Sequence, residues 1–127
     1  MVLGVGIDII EIERIKQSVD EFGDAFLKKI YTKTELDYSL SRVNKYQHLA
    51  ARFAAKEAIY KALSNDTTKA YSWQDVEIYN ELNGLPKVKF SGELKDYLND
   101  GKEIKISMSH SENYVTCVAI LSKVYSI

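Results

Sequence analysis

One cysteine, one proline and two histidines are all the chain holds of the residues that most often staple, kink or metallate a small protein. A lone Cys117 excludes an intramolecular disulfide. With His48 and His110 far apart in sequence and no second thiol, a zinc site is not expected either. No apolar run approaches the roughly 18 residues needed to cross a bilayer. The first 14 residues break their hydrophobic stretch with Asp8, Glu11 and Glu13, unlike a secretory leader, so the expected location is cytoplasmic. An excess of charge is also missing. Seventeen Lys and Arg against 18 Asp and Glu leave a formal charge of -1, which excludes a global field for nucleic acid or an anionic membrane, so any anion site must be local.

What the chain does have is enough apolar matter for a core. At 127 residues and 46% hydrophobic content, it fits one globular domain spanning 1–127, with no linker, repeat or low-complexity tract. Residues 2–10 alternate as a strand, with Leu3, Val5, Ile7 and Ile9 on one face and Gly4, Gly6, Asp8 and Ile10 on the other, which leaves room beside Asp8. Helical spacing follows over 11–22 and 24–31, divided at Gly23. Thr32 and Glu35 have capping-box spacing and start a third helix that ends before Asn44. The longest helix is predicted over about 47–64, with Leu49, Phe53, Tyr60 and Leu63 as its main stripe. Strands over 75–80 and 86–90 flank Asn83-Gly84, a strong hairpin signal, and the single proline, Pro86, marks an edge position. Ser91 is expected to cap a short helix to about residue 99, before strands over 103–110 and 114–122. This order predicts an α+β fold with an antiparallel sheet packed on a long central helix. The last strand is apolar on both faces, which in so short a chain anticipates cover from another subunit.

Residues 51–63 are the most informative stretch, because Arg52, Lys56, Glu57 and Lys61 stand among alanines and large apolar groups. A charge on a largely buried helix needs a partner, local water or a bound ion. Asp8 and Glu57 suit a hard cation that takes one or two carboxylates and fills its remaining positions with phosphate oxygens. The competing reading makes Asp8 a helix N-cap and pairs Glu57 with Arg52 or Lys61. Lys61, four residues after Glu57, stands either in a surface ion pair or against a phosphate, and Arg52 is either solvated or a bidentate phosphate grip. Lys56 is read as a solvated helix residue. His110 shares a strand face with Ile104, Ile106 and Met108, and is either a structural group or a donor to phosphate.

Together these residues resemble the holo-acyl-carrier-protein synthase family, the short bacterial 4'-phosphopantetheinyl transferases. The resemblance rests on Gly4-x-Gly6-Ile7-Asp8-x-x-Glu11-x-x-Arg14-Ile15 and Phe26-x-x-x-Ile30-x-Thr32-x-x-Glu35-Leu36. It continues in Ala50-x-Arg52-Phe53-Ala54-Ala55-Lys56-Glu57-Ala58-x-x-Lys61-Ala62, Asn83-Gly84-x-Pro86 and Ile106-Ser107-x-Ser109-His110-Ser111-x-x-Tyr114. These blocks cover nearly the whole chain in family order. The resemblance implies transfer of 4'-phosphopantetheine from coenzyme A to a serine of apo-acyl carrier protein, with release of adenosine 3',5'-bisphosphate. It implies a homotrimer with interfacial sites, and Mg2+ held by Asp8 and Glu57, with Lys61 beside the reacting phosphates. Arg52, Ser109 and His110 are implied at the nucleotide end, with Gly84 and Pro86 bordering the adenine from a neighbouring chain. Arg14, Phe26, Lys28 and Lys29 match the carrier-protein docking surface, which here also carries Glu13, Asp20, Glu21 and Asp24. For the serine proton, a metal-held water, Glu57 and Glu35 are the candidate acceptors. Competing functions are a metal-dependent phosphohydrolase acting on coenzyme A-like nucleotides and a non-catalytic nucleotide-binding subunit.

Overall fold

Among the described residues the α-helices and strands follow in chain order: β1 (Val2–Glu11), α1 (Ile12–Phe22), α2 (Asp24–Ile30), α3 (Lys33–Leu40), α4 (Lys45–Leu63), β2 (Val76–Asn80), β3 (Pro86–Phe90), α5 (Gly92–Tyr97), β4 (Lys102–His110) and β5 (Tyr114–Lys123), with a 3-10 turn at Trp73–Asp75 before β2. The computed structural model describes residues 1–124. The five strands divide into two antiparallel sheets, one ordered β1-β5-β4 and one made by the β2-β3 hairpin. The larger sheet lies on α4, and the buried apolar residues form one contiguous cluster around that helix.

Glycine decides how β1 packs. Its inward face carries Gly4, Gly6, Asp8 and Ile10, while Val5, Ile7 and Ile9 point outward at 52, 64 and 66% exposure. A Cβ on Gly4 would stand 2.1 Å from the Ala62 carbonyl oxygen, and one on Gly6 only 1.9 Å from that of Ala58. The strand therefore rests backbone to backbone on a helix whose contact surface is alanine. Asp8, two residues past Gly6 on the same face, is carried over the same helix. It does not cap α1. β1 continues to Glu11, and the first helical amide, that of Ile12, donates to the Asn113 carbonyl at 2.8 Å.

Helix α4 begins two residues earlier than its periodicity indicates and has no single apolar stripe. Leu49, Ala50, Ala54, Ala55, Ala58, Ile59, Ala62 and Leu63 are all buried, whereas Phe53 and Tyr60, expected in the stripe, are only half-buried. The reason is coverage: β1 and β5 take one flank, and α1, α3 and β2 pack on others. A helix enclosed in this way is apolar nearly all round.

Shorter signals hold where local chemistry dictates them. Thr32 and Glu35 make the full capping box, with the Glu35 amide donating to Thr32 Oγ1 at 3.2 Å and the Thr32 amide to Glu35 Oε1 at 2.8 Å. In the hairpin connection Gly84 adopts φ 86°, and Asn80 pairs with Pro86 where β3 begins. Ser91 precedes α5 but its hydroxyl does not cap it. That hydroxyl faces the Gln74 carbonyl at 3.5 Å instead.

Candidate active site

The close seat of β1 on α4 brings three charged groups together. Lys61 Nζ donates to Asp8 Oδ1 at 2.9 Å and to the Ile7 carbonyl at 3.0 Å. Glu57, one turn earlier on α4, is half-buried and has no ion-pair partner within 4.0 Å among the described residues. Burial first, then the negative charge of Asp8, raises the Glu57 carboxyl above its ordinary value, with Lys61 partly opposing. Two carboxylates that repel each other across an open junction make a site that a cation would relieve. Among the described residues no group of three or more His, Cys, Asp or Glu side chains stands at metal-binding spacing. Two carboxylates are the donor set of a hard cation completed by phosphate or water oxygens. The same register sets Asp8 opposite Cys117, whose buried thiol is pushed up to about 12 by desolvation and then by Asp8.

A second grouping lies at the other end of α4. Arg52, Gly84, Pro86, Ser109 and His110, drawn from three segments far apart in sequence, line one cavity of about 250 Å³ together with His48 and Asn80. Arg52 is not solvated; it is 2% exposed, and its guanidinium lies 4.4 Å from the Tyr38 ring centroid. Its Nη2 donates to Asn80 Oδ1 at 2.8 Å, whereas Nε has no partner among the described residues. Gly84 and Pro86 therefore share a cavity with Arg52 and His110 of their own chain.

Sequence reasoning missed the state of Lys56. It is fully buried and pairs with the equally buried Glu35 at 2.7 Å, while donating to the Ile30 and Trp73 carbonyls at 2.9 and 3.0 Å. Glu35 Oε2 in turn accepts from the Ile78 amide at 2.8 Å. Glu35 is therefore removed as a proton acceptor, since both of its oxygens are engaged inside the core. The signal was the capping box itself, which fixes Glu35 at a helix start but does not reveal that the same carboxylate faces inward. Also unforeseen is a cavity of about 570 Å³ lined by Glu57 together with Tyr60, Tyr71 and Trp73. Phe53 stacks on Trp73 at 5.5 Å and 21°, and Tyr60 meets it edge-on at 5.9 Å.

Arg14 on α1 and Lys28 and Lys29 on α2 are exposed. Phe26 is half-buried against Tyr31, with ring centroids 6.1 Å apart.

These positions can be set beside known proteins. A sequence profile of the 4'-phosphopantetheinyl transferase superfamily matches residues 4–119. The chain belongs to that family. It is 46% identical over 122 residues to the holo-[acyl-carrier-protein] synthase of Protochlamydia amoebophila, covering 96% of this chain and 99% of that relative. Among solved structures it is similar to the holo-[acyl-carrier-protein] synthase of Neisseria meningitidis, with a TM-score of 0.87 at 32% identity over 97% of this chain and all of that one. It is also similar to the Helicobacter pylori synthase in complex with coenzyme A, with a TM-score of 0.79 at 31% identity over 93 and 99% of the two chains. Membership places the α+β architecture in the transferase family. No helix among the described residues is long and apolar enough to cross a membrane.

Proposed function

We propose that this member of the family transfers 4'-phosphopantetheine from coenzyme A to a serine hydroxyl of an apo-acyl carrier protein and releases adenosine 3',5'-bisphosphate. The observation that carries the reading is the junction of Asp8, Glu57 and Lys61 at the β1–α4 contact, where two carboxylates and an ammonium converge in a chain of this family. The serine oxygen attacks the phosphorus that bears pantetheine, the bond from that phosphorus to the bridging oxygen breaks, and the bridging oxygen leaves with the adenosine bisphosphate.

Asp8 and Glu57 would hold Mg2+. Once bound, the ion supplies charge neutralisation on the pyrophosphate and an ordered frame for in-line attack. Lys61 exchanges its contact with Asp8 for the phosphoryl oxygens and stabilises the charge they carry during transfer. Glu35 takes no proton. The Tyr60, Tyr71 and Trp73 wall beside Glu57 offers an apolar bed for the uncharged arm of coenzyme A.

Arg52 and His110 bind phosphate at the nucleotide end, Ser109 lines the same wall, and Gly84 and Pro86 flank the adenine. Support for this assignment is their common cavity. If the hairpin tip reaches a neighbouring subunit's site, Arg52 and His110 go with it, so each site joins the carboxylates of one chain to the guanidinium of the next. A homotrimer with interfacial sites follows, and the outward apolar residues Val5, Ile7, Ile9 and Ile120 supply the contact. Arg14, Lys28 and Lys29 around Phe26 dock an acidic carrier protein. A cytoplasmic role in fatty-acid synthesis is the setting this chemistry implies.

The test is mass spectrometry of an apo-carrier protein incubated with the chain, coenzyme A and Mg2+. The expected product gains one phosphopantetheinyl group and is not formed in the presence of chelator. Rapid breakdown of coenzyme A without carrier protein would favour the phosphohydrolase reading instead.

A further inference from the structure

The geometry points to Asn80 as a positioning residue that aims the Arg52 guanidinium into the nucleotide cavity and ties it to the tip of the β2–β3 hairpin. The inference rests on the reading of that cavity as a nucleotide site. Arg52 is buried, yet its Nε has no partner among the described residues. Its Nη1 reaches the His48 carbonyl only at 3.4 Å, so among the described residues the single short hydrogen bond on the guanidinium is the one from Nη2 to Asn80 Oδ1 at 2.8 Å. The Tyr38 ring stacks near the guanidinium plane at 4.4 Å but, being a face contact, does not fix rotation within that plane. The Asn80 carboxamide supplies that constraint. From its other end Nδ2 donates to the Gly84 carbonyl at 3.1 Å, and Asn80 faces Pro86 in the strand register.

A carboxamide alone can do both jobs. It presents an acceptor to the guanidinium and a donor to the turn carbonyl, and the two hydrogen bonds fix which end is oxygen. Aspartate would keep the first contact, lose the second and place a negative charge beside the anion site. Alanine would lose both. An orphaned donor on a buried, partly desolvated guanidinium is the kind of group that an incoming phosphate oxygen satisfies. Asn80 thereby makes two events cooperative: phosphate binding at Arg52 and contact of the base with Gly84 and Pro86.

The test is calorimetric binding of adenosine 3',5'-bisphosphate and adenosine 5'-monophosphate to the intact protein, its oligomeric state checked by light scattering. Wild type should prefer the bisphosphate, whose 3'-phosphate is the one this reading gives to Arg52. Asn80→Ala should weaken the bisphosphate about tenfold, the scale of one lost charge-assisted hydrogen bond, and the monophosphate by less, since that nucleotide feels only the lost Gly84 contact. Asn80→Asp should weaken the bisphosphate further. In an Arg52→Met background, Asn80→Ala should add for the bisphosphate only the smaller loss seen with the monophosphate, because the larger part of its effect runs through the guanidinium. Equal losses for both nucleotides would reduce Asn80 to a turn residue and overturn the inference, as would an undiminished effect without Arg52. A wild-type protein that shows no preference between the nucleotides would instead overturn the cavity assignment, and with it any role for Asn80 there.

Discussion

Glu57 is held under opposing demands. Its carboxyl lies above the ordinary value because burial and the Asp8 charge disfavour the anion. Between the ordinary and the raised value the folded chain keeps a proton that the unfolded chain has released. Stability therefore falls as pH rises through that window and stays lower above it. Glu57→Gln removes the loss. The variant should be more resistant to urea than wild type at pH 7 and show a flatter pH dependence from acid to neutral, while its transfer activity collapses. The same substitution should abolish stabilisation by Mg2+, which in wild type should reach about 2.7 kcal/mol at a hundredfold excess over Kd. A variant that Mg2+ still stabilises to the wild-type extent would remove Glu57 from the cation site. Lys61→Met makes a separable prediction. Loss of one preorganised donor to transferring oxygens should lower kcat about 10²–10³-fold. Because the lysine no longer pairs with Asp8, Mg2+ should bind no more weakly than in wild type. A fall in Mg2+ affinity matching the fall in kcat would show that Lys61 acts by holding Asp8 rather than the phosphates.

At the scale of elements, the Glu35–Lys56 pair locks the start of α3 to α4, β2 and the turn at Trp73. Removing one partner leaves the other charge buried without a counterpart, at a cost of about 3–5 kcal/mol. Lys56→Met should show that loss in urea unfolding, and the double variant Glu35→Leu with Lys56→Met should recover part of it. Gly6→Ala attacks a different joint. A methyl 1.9 Å from the Ala58 carbonyl cannot be accommodated by a side-chain rotation, so β1 must lift from α4 and carry Asp8 with it. That variant should lose stability by about 1–3 kcal/mol or more, the range for overpacking, together with Mg2+ binding. These two joints also mark how far the sequence was legible. Periodicity gave the strands, the hairpin and the capping box because each depends on neighbours a few residues away. The burial of Lys56 escaped because its partner, Glu35, lies 21 positions back and is met only through tertiary packing. The missing stripe on α4 has the same cause: alanine carries little periodic signal, and only the surrounding elements determine that the helix is covered on several flanks. Alternation in β1 was plain, but its inward face is chosen by the lack of side chains at Gly4 and Gly6 rather than by hydrophobicity.

At the scale of the whole molecule, the two groupings of site residues do not share a cavity: Glu57 borders one, and Arg52 with His110 borders another. Under the proposed transfer, one coenzyme A would span both where the cavities of different subunits meet, an arrangement that the exposed apolar face of the larger sheet would permit. Ile7 is 64% exposed, so Ile7→Glu should leave the fold intact while dispersing the assembly into inactive monomers, as read by light scattering and circular dichroism. Complementation makes the sharper test. Glu57→Gln alone and Arg52→Met alone should each be inactive. If the two proteins are mixed in equal amounts, unfolded and refolded together, some sites draw both carboxylates from an Arg52→Met chain and the guanidinium from a Glu57→Gln chain. With random assembly of a ring, about one quarter of the sites are whole, so transfer should return to roughly that share of wild type. Sites built within a single chain would stay defective in every mixture, because each chain carries one lesion, and the mixture would then be as inactive as its components.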